Sequence, residues 1–154
     1  MKLIECMIET ITLKPEMSNR QALQECVKYD VYGLPVTDVD KRVIGRFSVR
    51  NLFTHAGIPD ELIKHAHLIG HSIDHMDLSA CQDETFLEKP VSDIMINEVL
   101  HLCPDSQVIK ALAMMEHHNT SYLFVVDDHE HYLGMLTRLG IARCILANGC
   151  KIDD

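Results

Sequence analysis

An α+β fold, two β-α-β-β-α repeats packed face to face with pseudo-two-fold symmetry, is the fold class this sequence predicts, and three observations carry it. The chain aligns with itself. Residues 13–51 match 102–140 without a gap at a constant offset of 89, with identities at Leu13/Leu102, Pro15/Pro104, Ala22/Ala111, Leu23/Leu112, Leu34/Leu123, Val36/Val125, Asp38/Asp127 and Gly45/Gly134. These fall at turn, core and cap positions, where chance pairing has no reason to concentrate. Each copy then shows one helical face followed by two short β-rich runs and a new helix start. Finally, a unit of this size has too little interior to be stable alone. Its strand face needs a cover, and the other copy is the obvious one.

The elements follow in order. After Pro15, Ser18 with Gln21 three residues on forms a capping-box signature, and Ala22, Leu23, Cys26 and Val27 mark one face of a helix predicted over 19–30. Leu34–Thr37 and Val43–Phe47 are β-rich runs separated by Asp38, Val39, Asp40 and Lys41, which read as a turn between adjacent strands. Ser48 sits where a further helix begins. In the second copy the helix is expected over 107–118, the strands over 123–126 and 132–136, and Thr137 opens the last helix, which Asn148 and Gly149 stop. The organisation expected is a first repeat over 1–56, a helical linker over 57–90 and a second repeat over 91–154.

Composition bounds the function. The 154 residues carry 14 Lys and Arg against 23 Asp and Glu, a formal charge of −9 that repels phosphate backbones and anionic lipid. Neither nucleic acid nor a membrane surface is an expected partner. Six cysteines without a Cys-x-x-Cys pattern suit a reducing compartment. Glu5 and Glu9 interrupt the start of the chain where a signal peptide needs an apolar run, and no window approaches 18 apolar residues. A cytoplasmic protein is expected. No Gly-x-Ser-x-Gly, phosphate-loop, His-Glu-x-x-His or Gly-rich dinucleotide pattern occurs, so no enzyme activity and no catalytic residue are expected.

The runs YGLPVTDVDKRVIGRFSVRNLF and SYLFVVDDHEHYLGMLTRLGIA, each preceded by a Pro and a helix, resemble the two halves of a cystathionine beta-synthase domain pair, or Bateman module. VSDIM at 91–95 resembles that family's usual lead-in to a repeat. The resemblance spans nearly the whole chain apart from about residues 57–90. It implies a regulatory module that binds an adenosine derivative, AMP, ADP, ATP or S-adenosylmethionine, in the cleft between repeats and signals to a partner. No cofactor is implied.

The family's binding signature is Gly, two apolar residues, Ser or Thr, two variable residues, then Asp or Asn. Gly45, Arg46, Phe47, Ser48, Val49, Arg50 and Asn51 satisfy it, except that Arg46 replaces an apolar residue. A hydroxyl at a helix start lies beside unpaired backbone N–H groups, which suits a phosphate. Asn51 is placed to direct its amide at ribose hydroxyls, and Arg50 adds charge or a stacking plane. By the family pattern, adenine rests on the opening strand of the other copy, here Val99 and Leu100. In the second copy Thr137 is in place, facing Ile11, but Gly140 stands where Asp or Asn is required and Phe124 replaces the proline found at Pro35. Gly33 occupies a position where phosphate-binding members often carry a basic residue. One nucleotide site is expected rather than two. The plain alternative is that Ser48 is only an N-cap and that Arg50 and Asn51 are solvated helix residues.

In the linker, Leu62, Ala66, Ile69, Ile73 and Met76 form an apolar stripe after Pro59 and Asp60. His67, His71 and His75 lie on the opposite side at spacing four, with Asp74 and Cys81 near in sequence. A zinc site is conceivable there, but a solvated polar face is the expectation, and no metal ligand is assigned. Two rival readings remain: a structural homodimerisation module with degenerate pockets, and a metal or pH sensor using the linker histidines. A homodimer is expected in either regulatory or structural reading, because Val108, Ile109, Ala111, Leu112, Ala113, Met114 and Met115 make a wider stripe than one core needs. With no output domain within the repeats, the effector is a separate protein or a second copy.

Overall fold

The computed structural model describes residues 1–55, 58, 60–68 and 84–148. The first copy contains α1 (Asn19–Tyr29), β1 (Gly33–Thr37), β2 (Val43–Ser48) and α2 (Val49–His55). Two short helices follow, α3 (Asp60–His65) and α4 (Glu84–Glu88). The second copy contains β3 (His101–Leu102), α5 (Val108–His117), β4 (Tyr122–Val126), β5 (Tyr132–Thr137) and α6 (Arg138–Asn148). All eight elements expected from the helix and strand patterns of the two copies are present, with ends displaced by a residue or so.

Local chemistry explains their limits. Ser18 accepts from the Gln21 backbone N–H at 3.2 Å, and the Gln21 side chain accepts from the Ser18 N–H at 3.0 Å, so the capping box closes in both directions. Helix α1 ends one residue before the expected position because Asp30 turns left-handed at φ 55°. Asn119, at the matching place after α5, does the same at φ 49°. In each hairpin an aspartate, Asp38 or Asp127, accepts two backbone N–H bonds and closes the turn. The opening strands are shorter than a full β-α-β-β-α unit implies: β3 has two residues, and its first-copy counterpart is a single parallel bridge from Leu13 to Val36.

The two hairpins, β1-β2 and β4-β5, are antiparallel with matching registers, Gly33 opposite Ser48 and Tyr122 opposite Thr137. The copies are joined by reciprocal exchange. Ile8 from the first lead-in pairs with Met135 on β5, and Ile96 from the second lead-in pairs with Arg46 on β2. The cores are exchanged too. Leu3 and Cys6 pack with the second copy's Leu102, Ala111 and Leu136. Val91 and Ile94, conversely, pack with the first copy's Leu13, Leu34 and Phe47. Strand β4 is buried along its whole length, and its alternate residues feed different cores, Tyr122 and Phe124 one, Leu123 and Val125 the other. Cys26 belongs to the first core, 1% exposed, and burial pushes its thiol up to about 12, so it remains protonated.

Of the linker, Leu62 is half-buried, Ala66 and His67 are exposed, and His65 meets Glu61 at 3.3 Å. Pro59, Ile69, His71, Ile73, Asp74, His75, Met76 and Cys81, like Gly149, lie outside the described residues. Among the described residues no group of three or more His, Cys, Asp or Glu is placed to hold a metal ion, and no helix is long and apolar enough to cross a membrane.

The lead-in segments cross β2 and β5 directly over Gly45 and Gly134. A Cβ at Gly134 would lie 2.9 Å from the Ile8 carbonyl and closer still to the Met7 side chain, whereas one at Gly45 would meet Met95 at 3.0 Å and the Ile96 carbonyl at 3.1 Å. Gly134→Ala is therefore expected to cost about 1–3 kcal/mol, the usual range for overpacking, and Gly45→Ala less. Equilibrium urea unfolding of the two variants checks the order.

Candidate functional site

Beside the second crossing, where Ile96 pairs with Arg46, the two copies enclose a cleft of about 620 Å³. The first copy contributes Tyr32, Arg46, Ser48, Arg50, Asn51 and Thr54; the second contributes Ile96, the run from His118 to Tyr122, and Arg138. Its volume falls within the range of small-molecule pockets.

Ser48 ends β2, is 7% exposed, and its hydroxyl accepts from the Asn51 backbone N–H at 3.4 Å as the cap of α2. Asn51 lies one turn into the helix and donates from Nδ2 to the Ile94 carbonyl at 2.7 Å. That bond ties α2 to the second lead-in and fixes the amide, leaving Oδ1 as an acceptor for a hydroxyl group. It also accounts for an amide in place of a carboxylate, since a carboxylate has no hydrogen to offer the Ile94 carbonyl. Arg50 is exposed on the cleft wall.

Arg46 departs from the apolar residue of the expected signature, and the reason lies across the pseudo-two-fold axis. Tyr122 is the second-copy counterpart of Gly33, and a Cβ at Gly33 would overlap the Tyr122 hydroxyl. The absent side chain at Gly33 makes the space that Tyr122 fills. Arg46 donates from Nη1 to that hydroxyl at 3.0 Å, and its guanidinium lies 5.8 Å from the Tyr122 ring centroid. Burial raises the Tyr122 pKa, with the Arg46 charge and hydrogen bonds from Arg46 and Ser48 acting the other way. The phenol stays protonated at neutral pH.

Of the residues singled out in the sequence, Ser48, Arg50 and Asn51 come together on one wall. Val99 and Leu100 do not line the cleft: both are half-buried, Val99 against the first core and Leu100 against the second. Ile96, from the same segment, reaches the cleft instead. Ile11 packs on the first core, and Thr137 caps α6 by accepting from the Gly140 N–H at 2.8 Å; neither lines this cleft. At the position matching Asn51, a Cβ on Gly140 would stand 3.2 Å from the Cys6 carbonyl, the counterpart of Ile94. No local sequence pattern marks Tyr32, Tyr122, the run preceding Tyr122 or Arg138 as cleft residues. The offset of 89 was the available signal for Tyr122, because it maps Gly33 onto that residue.

The CBS domain family model matches residues 4–57 and 91–147, which is well over half of the sequence. The chain belongs to the CBS domain family. As a CBS pair it matches crystal structures over nearly its whole length. The CBSX2 protein in complex with AMP superposes with a TM-score of 0.69 at 23% identity, covering 96% of this chain and 97% of that one. The CBS pair of the protein MJ0100, in complex with 5′-methylthioadenosine and S-adenosylmethionine, gives 0.67 at 18% identity, covering 96% and 98%. These likenesses establish the paired fold. Among curated sequences, the uncharacterized Methanocaldococcus jannaschii protein MJ1232 is 26% identical over 89% of this chain and 36% of its own length. An inosine-5′-monophosphate dehydrogenase of the same organism is 25% identical over 84% and 20%. This chain thus spans about a third and a fifth of those relatives.

The Asn51–Ile94 bond yields a test independent of any ligand. Asn51→Asp keeps the family signature yet sets a carboxylate oxygen against a carbonyl oxygen. It is expected to cost about 1–3 kcal/mol, lowering the melting temperature at pH 7 by at least as much as Asn51→Ala, as read by circular dichroism.

Proposed function

We propose that this CBS pair is a regulatory module that takes one adenosine-containing ligand into the Ser48–Asn51 cleft and reports its presence to a separate effector or a second copy. The observation that carries the reading is the fixed Asn51 amide: its carbonyl oxygen faces no competing donor among the described residues and stands one helical turn from Ser48, on the wall of a cleft closed by the other copy. A ribose offers hydroxyl donors to such an acceptor. Structures of similar CBS pairs hold AMP in one case, and 5′-methylthioadenosine and S-adenosylmethionine in another, which supports the same ligand class here. Regulation rather than catalysis fits a cleft whose described lining holds three arginines, His118, Tyr32 and a Tyr122 locked to Arg46, and in which the neighbouring carboxylate, Glu116, is engaged by Arg138.

One site per chain follows from Gly140, which provides no side chain where Asn51 stands in the first copy. A ligand that binds only the folded state stabilises it by about 2.7 kcal/mol at one hundred times Kd, so a saturating adenosine ligand is expected to raise the melting temperature by roughly 5–11 °C. Asn51→Ala should weaken binding about fivefold through one lost hydrogen bond, and adding Ser48→Ala should weaken it further. Thr137→Ala should change affinity little. A thermal-shift series on these variants tests the assignment, and a shift abolished by Thr137→Ala but retained in the Ser48/Asn51 double variant would place the ligand in the other copy.

The structural reading, a dimerisation module with degenerate pockets, draws support from Gly140 in one half. Both readings use a homodimer. Ile109 on α5, and Leu139 and Leu146 seven residues apart on α6, are 73%, 56% and 84% exposed, apolar area that a second copy would cover. Light scattering at tens of micromolar is expected to return twice the 17.5 kDa chain mass.

A further inference from the structure

The described lining of the cleft contains three arginines, Arg46, Arg50 and Arg138, and no aspartate or glutamate, in a chain whose formal charge is −9. The three come from different places: Arg46 from β2, Arg50 from α2 and Arg138 from the start of α6 in the other copy. Arg138 is partly neutralised, donating to Glu116 at 3.0 Å, with the Thr120 carbonyl at 3.5 Å. Among the described residues, Arg50 has no anionic partner.

Arg46 is the informative member. Its Nη1 is spent on the Tyr122 hydroxyl, its Nε is buried without a hydrogen-bond partner, and its Nη2 has no acceptor among the described residues. Burying a donor unpaired lowers stability, and the repeat offers an apolar solution, because the counterpart of Arg46 in the second copy is Met135, fully buried in the core. The first copy thus holds a guanidinium, braced by a tyrosine, where its own duplicate holds a thioether. Fold stability does not call for it. A ligand carrying negative charge does, since a preoriented guanidinium on the cleft wall offers its full charge and the N–H donors of Nη2 to a phosphate.

Resting on the adenosine reading above, we propose that the cleft is specific for a phosphorylated adenosine, and that Arg46, held by Tyr122, is the residue that reads the phosphate. Gly33 carries no side chain for this task, and Arg46 supplies the charge from the neighbouring strand. An adenosine derivative bearing a sulfonium is disfavoured by like charge, and a neutral thioether analogue gains nothing from the arginines.

Isothermal titration of the full chain with AMP, adenosine, 5′-methylthioadenosine and S-adenosylmethionine tests this directly. AMP is expected to bind at least tenfold more tightly than 5′-methylthioadenosine, S-adenosylmethionine more weakly than either, and the AMP preference to shrink as salt is raised. Arg46→Met, which installs the second-copy residue, should reduce AMP affinity tenfold or more while leaving adenosine within about twofold. Arg50→Gln, an exposed change that leaves the core untouched, should lower AMP affinity severalfold and serves if Arg46→Met does not fold. Equal binding of AMP and 5′-methylthioadenosine by the unaltered protein, or an unchanged preference in both variants, would overturn the phosphate assignment and leave the adenosine reading standing. Binding of inorganic pyrophosphate that is lost in Arg46→Met, without binding of any adenosine compound, would do the reverse.

Discussion

Ile8 and Met135 exchange two backbone hydrogen bonds of 2.8 and 2.9 Å, and Ile96 and Arg46 exchange two more of 2.9 Å. On these crossings the remaining structure depends. Each lays a lead-in segment across the other copy's second hairpin strand, which places Leu3 and Cys6 in one core and Val91 and Ile94 in the other. Neither copy owns a complete interior. The glycines under the crossings, Gly45 and Gly134, follow from the same constraint, because backbone approaches backbone where a side chain would otherwise stand.

The pseudo-two-fold relation is close in the hairpins and turns and broken in several side chains at the cleft. Asp30 and Asn119 share a left-handed conformation, as do Lys41 and Glu130 in the hairpin turns. Against that regularity, Asn51 is matched by Gly140, Arg46 by Met135 and Gly33 by Tyr122. All three exchanges act on one cleft. Asn51 and Arg46 put polar groups on its wall, while the missing side chain at Gly33 admits the Tyr122 phenol that orients Arg46. The duplicated unit keeps its turns, hydroxyl caps and crossings twice, whereas the asparagine and the arginine of the cleft occur once.

Much of this was legible in the sequence, and the reason is locality. The capping box at Ser18 and Gln21, the aspartate turns and the strand runs each depend on residues within a few positions, so pattern and propensity find them. Ser48 and Asn51, which line the cleft, were legible through the family signature, whose members lie on one turn and so survive as a contiguous pattern. What escaped depends on contacts across the axis. Arg46 looked like a lapse in an apolar pattern because its partner is 76 residues away. In the lead-in segments the constant offset shifts: Ile8 precedes Leu13 by five positions, whereas Ile96 precedes Leu102 by six. The expectation at Val99 and Leu100 rests on the family pattern rather than on a local signal, and in this cleft it is Ile96, three residues before Val99, that lines the wall.

The exchange of lead-in segments also bears on how the chain acquires its structure as it is made. Ile8 leaves the ribosome well before its hydrogen-bonding partner Met135, which is synthesised more than a hundred residues later. At roughly 5–20 residues per second, that interval lasts on the order of five to twenty-five seconds. For most of it the first hairpin lacks Ile96 against β2, and until the end it lacks the complete second copy against its open face. The apolar side chains of Leu3, Phe47 and Leu34 therefore wait for partners encoded downstream. Closing so long a loop is entropically unfavourable and slows assembly, so the first repeat reaches its final packing only when the second repeat emerges.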